Sequence, residues 1–522
     1  MKVAQAISAA LEGVGVHDVF GNPGTTELPF LEGLSQRYVL SLHDSIAVAA
    51  ADGFATGSGR LAFVNLHAAP GLGNAMGFLE TAMRHRSPLL VTVGQQDLRH
   101  RHLDPLLQGD FVGMARIAVK SAVEVESPSD AAGAIARAVR AALTPPRGPV
   151  LVSLPMDVVE SEAPTAFSIP AGEGPHPAVV PPPVVAALRQ ASSPALVAGY
   201  EVDASGAFDE LSRLAELLGA PIFAEPLASR AMVRANEPAY AGDLLPASAL
   251  ISSALGDYDP IILVGSDLTV YPYTPSPLLP GKQVIYLGND PATAAKLAGL
   301  SALGDLKSLL GSLLPQLAPS GRPPFRRPRD FARANRIARA ARVMGGEYIL
   351  DAALRAFPDH AVVDEAVSQT PTLKSCGAYR GPKSYFGCRS GQLGWALGSS
   401  IGLGLTLPKV LVIVGDGAFQ YTVQSLWTLA KYRLPVKVLV INNHGYNILR
   451  SYSKAYHAAL TDAPYLSLPL LDVESEARGF GLPARTVPDA PSLEGGLQWL
   501  HDEPGPALLN VEMDRTVPNL FS

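Results

Sequence analysis

Residues 410–443 read VLVIVGDGAFQYTVQSLWTLAKYRLPVKVLVINN. Five apolar residues, Val410 to Val414, fit a strand buried on both faces. Gly415-Asp416-Gly417 follows as a tight turn. The spacing predicts a helix from about Thr422 to Tyr432, closed by Pro435, and a second buried strand from Val436 to Ile441. That strand delivers Asn442-Asn443. Asp416 and Asn443 therefore stand at equivalent ends of two strands in one βαβ unit, where parallel sheets bind ligands. A carboxylate and an amide oxygen are hard donors that suit Mg²⁺ or Ca²⁺. Two side chains do not fill an octahedron, so a backbone carbonyl, water and a ligand's phosphates are expected to complete it. Each half alone has a plainer reading, as a turn and as a strand end.

Working outward, the chain has 522 residues, 48% of them hydrophobic, enough for several cores. That length predicts about two to four domains. The 41 basic and 47 acidic residues give a net charge of −6 without a long charge run. Neither a nucleic acid nor a membrane surface is an expected partner. The first residues, MKVAQAISAALEGVGV, carry Glu12 and an early charge break, which favours an amphipathic helix over a signal peptide. No apolar run reaches membrane-spanning length. Two cysteines, Cys376 and Cys388, make neither a disulfide framework nor a metal cluster. A cytoplasmic location is expected.

The fold class follows from alternation. Short buried strands such as Ala62-Phe63-Val64-Asn65-Leu66 and Leu89-Leu90-Val91-Thr92-Val93 alternate with helical stretches up to about residue 160. A Pro-rich stretch from Ala163 to Pro183 reads as a linker. The pattern resumes with Ile261-Ile262-Leu263-Val264 and Val284-Ile285-Tyr286-Leu287, and a second linker runs from Pro315 to Asp330. The expectation is an α/β protein of three doubly wound parallel-sheet domains, at 1–162, 184–313 and 340–522.

GDG, some two dozen residues and NN on this frame resemble the diphosphate–metal motif of thiamine diphosphate (ThDP) enzymes. The domain order is similar to the acetolactate synthase and pyruvate decarboxylase branch: pyrimidine-binding, central, diphosphate-binding. The loop Phe20-Gly21-Asn22-Pro23-Gly24-Thr25-Thr26-Glu27-Leu28-Pro29-Phe30 resembles the first active-site loop of benzoylformate decarboxylases. Asn65-Leu66-His67-Ala68-Ala69-Pro70-Gly71 places His67 at a strand end before a Gly-rich turn, where that family carries an active-site His. A structural His is the plainer alternative. Gly71, Gly73 and Gly77 do not spell GxGxxG, which disfavours a dinucleotide site. Gly94-Gln95-Gln96 also matches the family.

The resemblance implies roles by position. Asp416, Asn443 and the Gly445 carbonyl would hold the metal. Ser368, Gln369, Gly417, Ala418 and Tyr446 would lie along the cofactor. The Gly391 carbonyl would accept from its 4′-amino group. Leu393 would be the apolar wedge that keeps it bent, or else ordinary helix core. Thr25, Leu106, Leu107, Tyr271, Arg389 and Ile448 would line the substrate pocket.

Three positions depart from the family. A glutamate that hydrogen-bonds N1′ of the aminopyrimidine lies eight positions before an Ala-Asp-Gly. Counting back from Asp52 of Ala51-Asp52-Gly53 gives Asp44. Aspartate is one methylene shorter, roughly 1.5 Å of reach. Asp44 as a helix N-cap is the structural alternative, and His43 beside it is expected to point to the opposite face of a strand. A second active-site His of the family maps onto Pro272, with Tyr271 or Tyr273 in its stead or the relay lost. Arg389 replaces a small residue, as a carboxylate clamp or a surface charge.

The implied activity is ThDP- and Mg²⁺-dependent decarboxylation of a 2-oxo acid, benzoylformate-like and aromatic or bulky, by Asp44, His67 and Thr25. One alternative is an acetolactate synthase-like carboligase that joins the enamine intermediate to a second carbonyl compound. The other is a ThDP-binding protein with little lyase activity. The resemblance also implies a homodimer or homotetramer with active sites at subunit interfaces.

Overall fold

The computed structural model describes residues 1–164, 167–169, 178–271, 276–328 and 330–521. The chain forms two compact units. One comprises Met1–Gly172, Arg339–Pro371 and Cys388–Ser522; the other comprises Glu173–Ala338 and Thr372–Gly387.

The first sheet holds β1 (Asp18–Gly21), β2 (Arg37–Leu40), β3 (Ala62–Leu66), β4 (Leu89–Gln95), β5 (Ala122–Glu124) and β6 (Val150–Pro155), in the order 2-1-3-4-6-5. All its pairs are parallel. β3, β4 and β6 are buried along their whole length, as near-continuous apolar runs require when helices cover both faces. The second unit holds β7 (Ala195–Ala198), β8 (Ile222–Ala224), β9 (Tyr240–Asp243), β10 (Ile261–Val264), β11 (Val284–Gly288) and β12 (Leu300–Leu303), in the order 12-11-10-7-8-9, again parallel. A short strand, β14 (Tyr385–Gly387), also belongs to that unit.

The C-terminal sheet runs β13 (Ala361–Glu365), β15 (Val410–Gly415), β16 (Val436–Asn442), β18 (Ala507–Glu512) and β17 (Ala484–Val487), in that spatial order and all parallel. The two strands expected around the GDG and NN motifs are present, buried and adjacent. The GDG segment differs from a plain turn. Asp416–Phe419 is a short helix that starts straight off β15, and the following helix begins only at Ser425.

Two helices join the outer sheets of the first unit: α1 (Asp44–Ser58) and α3 (Trp395–Thr406), with α2 (Ala68–His85) between them in sequence. Ala49 abuts Gly398, Gly53 abuts Ser399 and Gly57 abuts Thr406, so α1 and α3 run in the same direction. Small residues let them approach closely. A Cβ on Gly402 would sit 1.9 Å from the Ala50 carbonyl oxygen. Parallel packing puts the N-terminus of α1, which is Asp44, at the same end as the turn that precedes α3.

Candidate active site

The register Val414↔Val440 and Gly415↔Ile441 sets Asp416 beside the end of β16. The backbone N–H groups of Asn443 and Gly417 donate to the Asp416 carboxylate. Asp416 is 1% exposed, yet its Oδ2 has no hydrogen-bond partner among the described residues; the same holds for Oδ1 of Asn443. A buried polar atom left unpaired costs about 1–3 kcal/mol, and here two oxygen donors face that cost side by side. Burial pushes the Asp416 carboxyl up to about 6. A hard divalent cation resolves both costs, so the donor set fits Mg²⁺ or Ca²⁺. Among the described residues no group of three His, Cys, Asp or Glu side chains forms an alternative centre.

The backbone beyond Asn443 is turned by His444, whose φ of 58° is left-handed and whose Nε2 lies 2.5 Å from Glu512 Oε2. Gly445 is bridged to Ser467. Tyr446 caps α5 (Asn447–Tyr456), donates its N–H to the Leu466 carbonyl, and lays its ring against Gly417. Ala418 is buried in the short helix after β15, and Ile448 is half-buried in the first turn of α5. Ser368 and Gln369 are buried in the turn that follows β13, the neighbour of β15. Asn447 was not expected from sequence. It is 2% exposed, and neither its Oδ1 nor its Nδ2 has a partner among the described residues.

Before α3 the chain turns through Gly391, at φ 78° with open space around its α-carbon, and Gly394, at φ 86°. The N–H groups of Gly394 and Ala396 donate to Glu365, a buried carboxylate at a helix N-terminus. Burial pushes Glu365 up to about 8 against those two donors. Leu393 is half-buried beside them.

The N-terminal cluster is the most connected. β2 ends at Leu40, and Asp44 is the first residue of α1 rather than the end of a strand. The cap of α1 is His43, whose ring accepts from Ser45 N at 3.3 Å, so Asp44 is not the N-cap. Its carboxylate accepts the backbone N–H of His67 at 3.3 Å and a bond from the Asn22 side chain. Burial raises its pKa, and the His67 N–H opposes the rise. His67 Nδ1 lies 2.7 Å from Oε2 of Glu27, which is fully buried. Glu27 also accepts from Gly24 N, Thr26 Oγ1 and Ala68 N. The carboxylate can only accept, so it holds the proton on Nδ1 and leaves Nε2 for exchange. Gly24 must lack a side chain, because a Cβ there would meet the imidazole at 2.0 Å. Glu27 and Thr26 lie in the quoted loop, but only the fold shows that they, and not the exposed Thr25, touch His67.

The expected pocket residues are dispersed. Leu106 is 84% exposed, its carbonyl bonded to Gln96. Leu107 is left-handed at φ 72°. Tyr271 is exposed in the second unit, and Pro272 and Tyr273 lie outside the described residues. Arg389 is 3% exposed, which removes the surface-charge reading. Ala68, Leu107, Val367 and His444 are left-handed without being glycine, four of thirteen such positions among the described residues.

Three family models match the chain. The thiamine pyrophosphate enzyme N-terminal TPP binding domain covers residues 1–116, the central domain 183–313 and the C-terminal TPP binding domain 369–511. The sequence is 34% identical to a benzoylformate decarboxylase of Pseudomonas aeruginosa over 518 residues, 97% of each chain. It is 26% identical to an acetolactate synthase large subunit of Parasynechococcus marenigrum, over 98% of this chain and 87% of that one. A solved structure, the thiamine diphosphate-dependent 4-hydroxybenzoylformate decarboxylase of Rhodococcus jostii RHA1, matches with a TM-score of 0.91 at 31% identity, covering 99% of this chain and 100% of that one.

Proposed function

Because the chain belongs to the thiamine pyrophosphate enzymes, we propose that it is a ThDP- and Mg²⁺-dependent lyase that decarboxylates an aromatic or bulky 2-oxo acid to an aldehyde and CO₂. The observation that carries the reading is the pairing of Asp44 with His67 in one cluster: a buried carboxylate accepts the backbone N–H of His67, and Glu27 holds Nδ1 of the same residue's imidazole. Bound there, ThDP would supply the electron sink for CO₂ loss. Asp416, Asn443 and the Gly445 carbonyl would hold the metal and, through it, the diphosphate. Ser368, Gln369, Gly417, Ala418 and Tyr446 would line that end. The Gly391 carbonyl and Leu393 would fix the pyrimidine, and Asp44 would polarise it. His67 would hand a proton to the product-forming carbon through Nε2. Leu106, Leu107, Arg389, Ile448 and Thr25 would shape the pocket once subunits pair as a homodimer or homotetramer.

His67→Ala should slow turnover by about 100-fold or more, the usual scale for an acid–base group, with ThDP affinity held. Glu27→Gln should do the same in part, because an amide can donate to the imidazole and loosen its tautomer. Stopped assays on both variants check this, and unchanged turnover on the best substrate would make His67 structural. The acetolactate synthase relative keeps a carboligase in view. A panel of 2-oxo acids, phenylglyoxylate and pyruvate included, scored for both CO₂ and coupled ketols separates the two. Equal release of CO₂ and aldehyde supports the lyase. Ketol as the main product supports the ligase. Turnover of no 2-oxo acid sinks both.

A further inference from the structure

Helix α2 starts one residue after His67 and ends in buried chemistry that the proposed reaction does not use. Asp52 and His85 are 1% and 3% exposed. Asp52 Oδ2 takes the Nδ1–H of His85 at 2.7 Å and the Nε1–H of Trp395 at 2.6 Å, and the Ser87 hydroxyl donates to Oδ1. On its far side, His85 Nε2 accepts the backbone N–H of Arg389 at 3.2 Å. Burial opposes charge on this imidazole, but Asp52 and then Cys388 outweigh it and raise its pKa to about 9. The bond from the Arg389 N–H is made by the Nδ1–H tautomer, in which Nε2 is the acceptor.

Arg389 and Trp395 flank the turn Gly391-Gln392-Leu393 on its two sides. One buried Asp–His pair therefore grips the chain just before the turn through a backbone N–H and just after it through an indole. A third tie comes from the same helix, where Thr81 Oγ1 lies 2.7 Å from Ser390 Oγ. The ring of His85 also packs edge-on against Trp395, with centroids 4.9 Å apart. The crown of the turn, Gly391, stays open at φ 78°. Both ends are clamped and the middle is presented.

We propose that His85 and Asp52 are positioning residues that set the pose of the Gly391–Leu393 turn, and with it the carbonyl and the apolar wedge offered to the cofactor. His67 caps the other end of the same helix, so the proton donor and the cofactor turn are registered on one element. The part about the cofactor rests on the proposed function; the anchoring of the turn does not.

The test uses the full-length chain and two readouts, hydrogen exchange of the 388–395 amides and calorimetric binding of ThDP with Mg²⁺. His85→Leu removes the acceptor; His85→Gln restores one at similar reach. His85→Leu should speed exchange in the turn at least about 10-fold and weaken ThDP by about as much, the scale for residues that orient a ligand-holding group. Exchange in β4 and β15 should not change. His85→Gln should recover most of both effects, which a merely space-filling role would not do. A folded His85→Leu chain with parental turn exchange and ThDP affinity overturns the proposal. Should His85→Leu not fold, Trp395→Phe drops the indole N–H, together with part of the ring, on the other side of the turn, and unaltered exchange there overturns it too. Were the parent chain to bind no ThDP, the functional reading would fail while the exchange comparison still decided the anchoring.

Discussion

Asp416→Ala is expected to abolish retention of ThDP and Mg²⁺ while the chain still folds. Asp416 starts the short helix after β15 and sits one strand over from Asn443. Its Oδ2 and Asn443 Oδ1 are buried oxygens without partners among the described residues, so they do not stabilise the folded state until a cation arrives. Alanine removes the only formal charge in that donor set. Residues that merely orient metal ligands contribute about 10–100-fold in affinity, so a direct ligand should contribute at least about 100-fold. In the metal-free chain the melting temperatures of parent and variant should lie close together. With ThDP and Mg²⁺ at about 100 times the dissociation constant, the parent should gain about 2.7 kcal/mol by mass action and the variant almost none. Calorimetry and thermal melts, each with and without the pair, check this. Normal binding by Asp416→Ala would move the metal elsewhere.

Asp44→Asn is expected to slow C2–H exchange of bound ThDP in D₂O by about 100-fold or more, the range of acid–base contributions, with the cofactor still bound. The amide keeps the size and loses the charge. It can still accept the His67 N–H, so the cluster should persist and the loss should be chemical. Asp44→Glu restores the residue of the family and is expected to slow exchange as well. The Asp44 carboxylate packs against the Gly71 backbone, where even a Cβ would meet Oδ1 at 2.5 Å. A methylene forced into so tight a site costs about 1–3 kcal/mol and pulls Oδ1 off the His67 N–H. Faster exchange in Asp44→Glu would mean that the short side chain is a handicap. Exchange at the parental rate in Asp44→Asn would remove Asp44 as the activating group.

The alternation of apolar runs with helical stretches was enough to predict parallel α/β domains, because a strand covered on both faces has no polar side to show. The spacing of GDG and NN was enough to place Asp416 and Asn443 at neighbouring strand ends, since one βαβ unit leaves little choice of geometry. Those are local constraints, carried by a few dozen contiguous residues. Where a side chain ends up among residues distant in sequence is a different matter. Glu27 lies 40 positions from His67, and nothing in NPGTTE says that its carboxylate, not Thr25, would reach the imidazole. Arg389 read equally well as a surface charge until its burial was visible. The helix–helix contact of α1 with α3, which puts Asp44 and the Gly391 turn at one end, depends on glycines that in sequence look like weak helix formers. Asp52 and His85 are 33 residues apart, and Trp395 is 343 from Asp52. Local propensity and periodicity report each residue's own element. Only the packing of those elements decides which buried donors and acceptors satisfy one another.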